Sequence, residues 1–176
     1  MRKMLFTLFL SASAMTLSAQ TEKGDWMVGG RIDINAADHY SRIGFSPNAG
    51  AFIARNFVIG ANLQFDYIKS GNTKSTDFGI GPFTRLYFTS GTVKPLLQAA
   101  VSYQTNKTKS IGTGASISDG WAAFFLGAGV AIFINDNVSL EPIMGYSNTD
   151  GSSGFNFGLG FQVYLSRRQL DKVRGR

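Results

Sequence analysis

Between Gly154 and Leu165 every second residue is large and apolar: Phe155, Phe157, Leu159, Phe161, Val163 and Leu165. The residues between them, Gly154, Asn156, Gly158, Gly160, Gln162 and Tyr164, are mostly small and all uncharged. Alternation with period two marks a strand, because successive side chains point to opposite faces. Two faces of such different size are a strong constraint. The apolar one has to be covered by a core or by lipid, and the small one suits a cramped, crowded place.

The same theme recurs through the chain as eight alternating segments separated by polar breaks. They run over residues 26–34, 42–54, 57–69, 77–88, 95–104, 120–134, 138–147 and 154–165. In the third, Ile59, Ala61, Leu63, Phe65 and Tyr67 oppose Gly60, Asn62, Gln64 and Asp66. The sixth is almost wholly apolar, but Gly127 and Gly129 two apart and the Asn135-Asp136-Asn137 turn favour a strand over a helix. Breaks near Arg55, Ser90 and Asp136 are short, and the others are longer or more polar. The longest, Thr105 to Asp119, is rich in Lys, Thr, Ser and Gly. Short turns alternating with longer loops are the pattern of membrane barrels, whose periplasmic turns are short.

The polar face decides which way such a barrel is turned. A soluble carrier with an apolar interior would expose Lys, Glu and Asp. Here the polar face holds mainly Gly, Ser, Asn, Gln and Ala, with isolated charges at Arg31, Asp33, Arg42, Asp66, Asp77, Arg85 and Glu141. These suit an interior in which opposite charges pair. Closure also satisfies every backbone polar group, which lipid demands. We therefore expect an all-β, eight-stranded antiparallel up-and-down transmembrane β-barrel. Trp26, Tyr67, Phe78, Phe88, Tyr103, Trp121 and Tyr146 are expected at the membrane interfaces.

Residues 1–19 read as a signal peptide: Arg2 and Lys3, an apolar run from Met4 to Leu10, then small residues. The barrel is expected over 20–165, and 166–176 as a basic periplasmic tail, read as a solvated end. The formal charge of +6 sits largely on the signal and this tail, which argues against nucleic-acid binding. With no cysteine there is no disulfide or thiolate chemistry, and one histidine with scattered acids makes no metal site.

The strands "NFVIGANLQFDY", "FGIGPFTRLYF", "GWAAFFLGAGVAIFINDNVSLEP" and "GFNFGLGFQVYL" resemble the small outer-membrane β-barrel family, related to the transmembrane domain of OmpA and to OmpX. The resemblance covers about Gly24 to Leu165 and departs from the family at its end, where a basic tail follows Leu165. It implies the outer membrane of a Gram-negative bacterium, outer-membrane lipids and the barrel assembly machinery as partners, a monomer, and no cofactor. It implies no single activity, because such a fold hosts many.

Three functions remain open at this stage. The first is a structural or interaction role, with residues 105–119 as a loop for an extracellular ligand. The second is a narrow pore along an interior network of Arg31, Asp33, Asp66, Asp77, Arg85 and Glu141. Eight strands leave an interior that side chains can fill, so we read the barrel as plugged. The third is lipid A modification. His39 and Ser41 resemble the His-x-Ser spacing of lipid A deacylases, and His39 with Ser75 and Asp77 loosely resembles the lipid A palmitoyltransferase. A carboxylate from Asp38, Asp77, Asp119 or Asp150 would have to orient the imidazole. We expect no catalytic site.

Overall fold

A computed structural model describes residues 21–37, 40–70, 73–89, 91–110, 116–149 and 152–173. The signal-peptide segment 1–19 and His39 lie outside them. The strands are β1 (Trp26–Ala37), β2 (Tyr40–Ala54), β3 (Phe57–Ser70), β4 (Thr73–Tyr87), β5 (Val93–Ser110), β6 (Ser116–Asn135), β7 (Val138–Thr149) and β8 (Ser152–Leu165), followed by a helix, α1 (Arg167–Val173). The strands form one closed barrel in sequence order. Each pairs antiparallel with the next, and β8 pairs with β1 from Trp26↔Leu165 to Ile32↔Leu159.

The greasy faces point outward. Ile34, Phe45, Tyr67, Ile80, Val101, Leu126, Met144 and Phe157 are all exposed, and Phe155 is 85% so. Outward hydroxyls bond to the wall itself: Thr84 donates to the Val58 carbonyl at 3.1 Å and Thr105 to that of Phe78 at 3.4 Å. That leaves the outer face without free polar groups there, which a lipid-facing surface requires. The sixth segment is indeed a strand, but Trp121 falls on its inner side, in register with Gln104, so it is not an interfacial anchor. Much of the polar stretch 105–119 is strand: residues 105–110 belong to β5 and 116–119 to β6. β5 and β6 stay paired through Asn106↔Asp119 and Thr108↔Ile117 up to Lys109↔Ser116. Thr, Ser and Lys pair as well as apolar residues once both faces of a hairpin are in water.

The end of the barrel that holds both chain ends is closed by a repeated device. At the β2–β3 turn a register shift between Phe52 and Ala54 precedes Asn56, whose φ is 62°. At the β6–β7 turn a shift between Phe133 and Asn135 precedes Asn137. The Asn56 carbonyl accepts the Tyr87 N–H at 2.9 Å, and the Asn137 carbonyl accepts the Tyr164 N–H at 2.6 Å. Each turn therefore fixes the last residues of a strand outside its own hairpin.

Residues 167–173 of the tail form a helix, in which Arg167, Gln169 and Asp171 are exposed. Ser166 and Gln169 make a reciprocal cap: Ser166 N–H donates to Gln169 Oε1 at 3.0 Å, and Gln169 N–H to Ser166 Oγ at 3.3 Å. This is the capping box, with glutamine three residues after serine. The buried Asp25 carboxylate then accepts the Arg167 N–H on one oxygen at 3.1 Å and the Glu22 N–H on the other at 3.0 Å. A carboxylate on the first turn of a helix is favoured by the unsatisfied N–H groups there. Replacing Asp25 by alanine should release α1, seen as faster tryptic cleavage after Arg167 with the barrel left intact. Unchanged cleavage would show that the clasp does not hold the helix.

Candidate functional site: a lumen plugged at one end

The inward face is polar in the half of the barrel near the β1–β2, β3–β4 and β5–β6 connections, and apolar at the other end. Met27, Phe52, Val58, Leu96, Ala131 and Phe133 point inward at the closed end and are buried. Above them lies the tightest group in the lumen. Arg85 on β4 and Glu141 on β7 are both buried and meet at 2.5 Å. These strands are not neighbours, so the bond crosses the lumen. The remaining lone pairs and protons are used as well. Gln98 Oε1 accepts from Arg85 Nε and Nη2 at 3.1 and 2.6 Å. Glu141 Oε1 accepts from Tyr164 at 2.6 Å and from Ser139 at 2.9 Å. The Tyr87 and Tyr164 hydroxyls meet at 2.8 Å. Below this, Phe52 stacks on Tyr87 and Phe133 packs on Tyr164. The buried Lys94 donates to Thr21 Oγ1 at 2.8 Å, with its ammonium 5.1 Å from the Phe133 ring centre.

Two phenyl rings form the waist above the plug. Phe83 lies against Gly50 and Gly60, which are paired across β2 and β3, and Phe125 lies against Gly127 and Gly145, paired across β6 and β7. A methyl group at Gly60 would come within 2.6 Å of the Phe83 ring, and one at Gly145 within 2.7 Å of Phe125. The glycines are there because the rings need the wall. Arg85 lies 5.8 Å from the Phe83 ring centre, and Arg31 4.8 Å from that of Phe125, both within cation–π range.

Between waist and open mouth is a vestibule of about 200 Å³. Arg31 pairs with Asp33 at 3.0 Å, and Arg42 holds Asp66 through two bonds of 3.1 and 3.0 Å. Gln104 donates to Gln64 at 2.6 Å. A second space of about 20 Å³ at the waist is lined by Asn48, Asn62 and Gln162, whose side-chain oxygens lack a protein donor. It has room for a water, which such oxygens call for.

All six expected interior charges are on the inner face, though not as one ion path. Asp33, Asp66 and Glu141 each have an arginine. Asp77 accepts from Ser75 at 3.1 Å and from Asn106 at 2.6 Å. Arg42, placed on the polar face by the sequence without a partner, pairs with Asp66; Lys94 and Met27, each the second residue of its strand, read from sequence only as boundary residues. Of the weak catalytic candidates, Ser41 and Asp77 do not converge. Ser41 is exposed on the outward side of β2, in register with Lys69, whereas Asp77 faces the lumen.

No protein-family model and no curated protein matches the chain. Solved structures do. The N-terminal β-barrel domain of Pseudomonas aeruginosa OprF aligns at a TM-score of 0.57 with 13% identity, covering 81% of this chain and 98% of that one. Neisserial surface protein A aligns at 0.57 with 19% identity over 79% and 95%. Ail, the attachment invasion locus protein of Yersinia pestis, aligns at 0.56 with 14% identity over 81% and 99%. The chain has the fold of the small eight-stranded outer-membrane barrels.

Removing one member of a buried ion pair strands the other, at a cost of ~3–5 kcal/mol, whereas replacing both is far milder. Arg85→Met and Glu141→Met should each lower the urea midpoint of the barrel in lipid vesicles, and Arg85→Met/Glu141→Met should recover much of the loss. A double variant as weak as the summed singles would mean that the two residues do not act as a pair.

Proposed function

We propose that the protein is an integral outer-membrane barrel of a Gram-negative bacterium with a closed lumen, acting through the hairpins it presents outside the cell. The crossing bond between Arg85 and Glu141 carries this reading. It sits among buried side chains running from Phe83 through Tyr87 and Tyr164 to Lys94, which supports a closed lumen. The continuous outer apolar wall supports the membrane placement, and the likeness to solved outer-membrane barrels supports the kind of membrane. Both chain ends then lie on the periplasmic side, with α1 beneath the barrel. The surface on offer is the β5–β6 hairpin, the longest in the barrel, rising from Asn106 and Asp119.

On this reading the barrel works as a monomer and enters the membrane through the barrel assembly machinery, for which the outward phenylalanines of β8 supply an apolar face. A deacylase-like arrangement of Ser41 with Asp77 is disfavoured, because the two lie on opposite sides of the wall. Two measurements test the proposal. In planar bilayers the protein should show no steady current, and a steady one would overturn the closed lumen. Replacing residues 107–118 by an Asn-Gly turn, which suits a two-residue hairpin, should abolish binding of expressing cells to host or neighbouring surfaces without unfolding the barrel. Unchanged adhesion would remove the interaction role.

A further inference from the structure

The outer wall carries a charged feature that neither the plug nor the apolar band accounts for. Lys69 on β3 is in register with Lys74 on β4, and Lys74 with Lys109 on β5. Lys107 stands one step lower, in register with Thr76. Lys69, Lys74 and Lys107 are exposed, and they continue the outward rows of Tyr67, Phe78 and Tyr103. Like charges directly opposite one another on a sheet repel. The outward positions of these strand ends hold no carboxylate to offset them: they read Tyr67, Lys69, Lys74, Thr76, Thr105 and Lys107. A row of ammonium groups built this way calls for an anion from outside.

Its height says which anion. On β4 the outward apolar row runs from Phe88 to Phe78, about 33 Å along the strand at ~3.3 Å per residue. With the usual tilt of membrane barrels this is about 25 Å of height, the full apolar band. Thr76 and Lys107 then stand roughly 5 Å above the band and Lys74 roughly 10 Å above it, at the level of the lipid headgroups. Lys69, Lys74 and Lys107 also face sideways from the wall, toward neighbouring lipid. Their methylene stems let the ammonium groups settle to the level of a phosphate.

We propose that Lys69, Lys74 and Lys107 form a binding site for an outer-leaflet lipid that carries more than one phosphate. This rests on the membrane reading above. One lipid seated here relieves the repulsion along β3, β4 and β5 and anchors this side of the barrel in its leaflet.

The test uses the full protein in phosphatidylcholine nanodiscs seeded with bis-phosphorylated lipid A or with its dephosphorylated counterpart. Native mass spectrometry after extraction counts the glycolipid retained. Wild type should keep the phosphorylated form at least about tenfold better than K69Q/K74Q/K107Q, because basic residues near an anionic surface act together. It should keep little of the dephosphorylated form. Should the triple variant fail to refold, K69Q/K74Q and K107Q should each show an intermediate loss. Equal retention by wild type and variants overturns the proposal, as does equal retention of both lipids. Displacement of the lipid by a soluble sulfated glycan at matched charge would make the occupant a glycan and also overturn it. Failure to enter any bilayer would refute the membrane reading and this proposal together.

Discussion

The bond between Arg85 and Glu141 joins strands on opposite sides of the barrel, and much of the interior is arranged to make it tolerable. Two charges out of water are costly unless their remaining hydrogen-bonding groups are used. Gln98, Tyr87, Tyr164 and Ser139 use them, and each of these side chains then needs its own place. Tyr87 and Tyr164 are held by the turn asparagines, whose carbonyls fix their backbone. Phe52 and Phe133, brought inward beside register shifts, close the space beneath. A cylinder of hydrogen-bonded strands can change its cross-section by shear. A strut across its middle, braced on four sides, resists that change.

The same logic explains the glycine pairs. At the waist the lumen has to hold two phenyl rings as well as the charges above and below. The wall makes room by carrying no side chain at Gly50 and Gly60 against Phe83, or at Gly127 and Gly145 against Phe125. The lumen is therefore graded along its axis: paired charges and amides in the vestibule, aromatic rings at the waist, one compensated ion pair, then an apolar floor. Such grading lets the open half be wet while the closed half is dry.

Much of this was legible in the chain, because period-two alternation over eight segments leaves few folds, and small uncharged residues on the polar face exclude a water-facing exterior. Less visible was the change in the inner face along its length. Met27, Phe52, Val58 and Leu96 point inward although they are apolar, so a rule that assigns apolar residues to the outside fails at the floor. Trp121 was misplaced for a related reason: in a strand that is apolar on both faces, composition does not state parity. Residues 105–110 and 116–119 read as loop from their polarity, yet polarity alone does not make a strand irregular. The tail helix had a visible signal, Ser166 followed three residues later by Gln169, which the excess of positive charge obscured. No spacing rule announces that Arg85 and Glu141, far apart in sequence, would meet across the lumen.

The clasp at Asp25 has a consequence for how the cylinder is sewn shut. The β1–β8 ladder ends at Ile32↔Leu159, although both strands run further toward the open end. The seam is thus fastened at the bottom by something outside the sheet, a carboxylate gripping the first residue of the helix that follows the last strand, and is left unlaced at the top. A wall built this way has a direction of weakness. When it parts, it parts from the vestibule downward along one line, and the last stitch to give is the one that ties the beginning of the folded chain to its end.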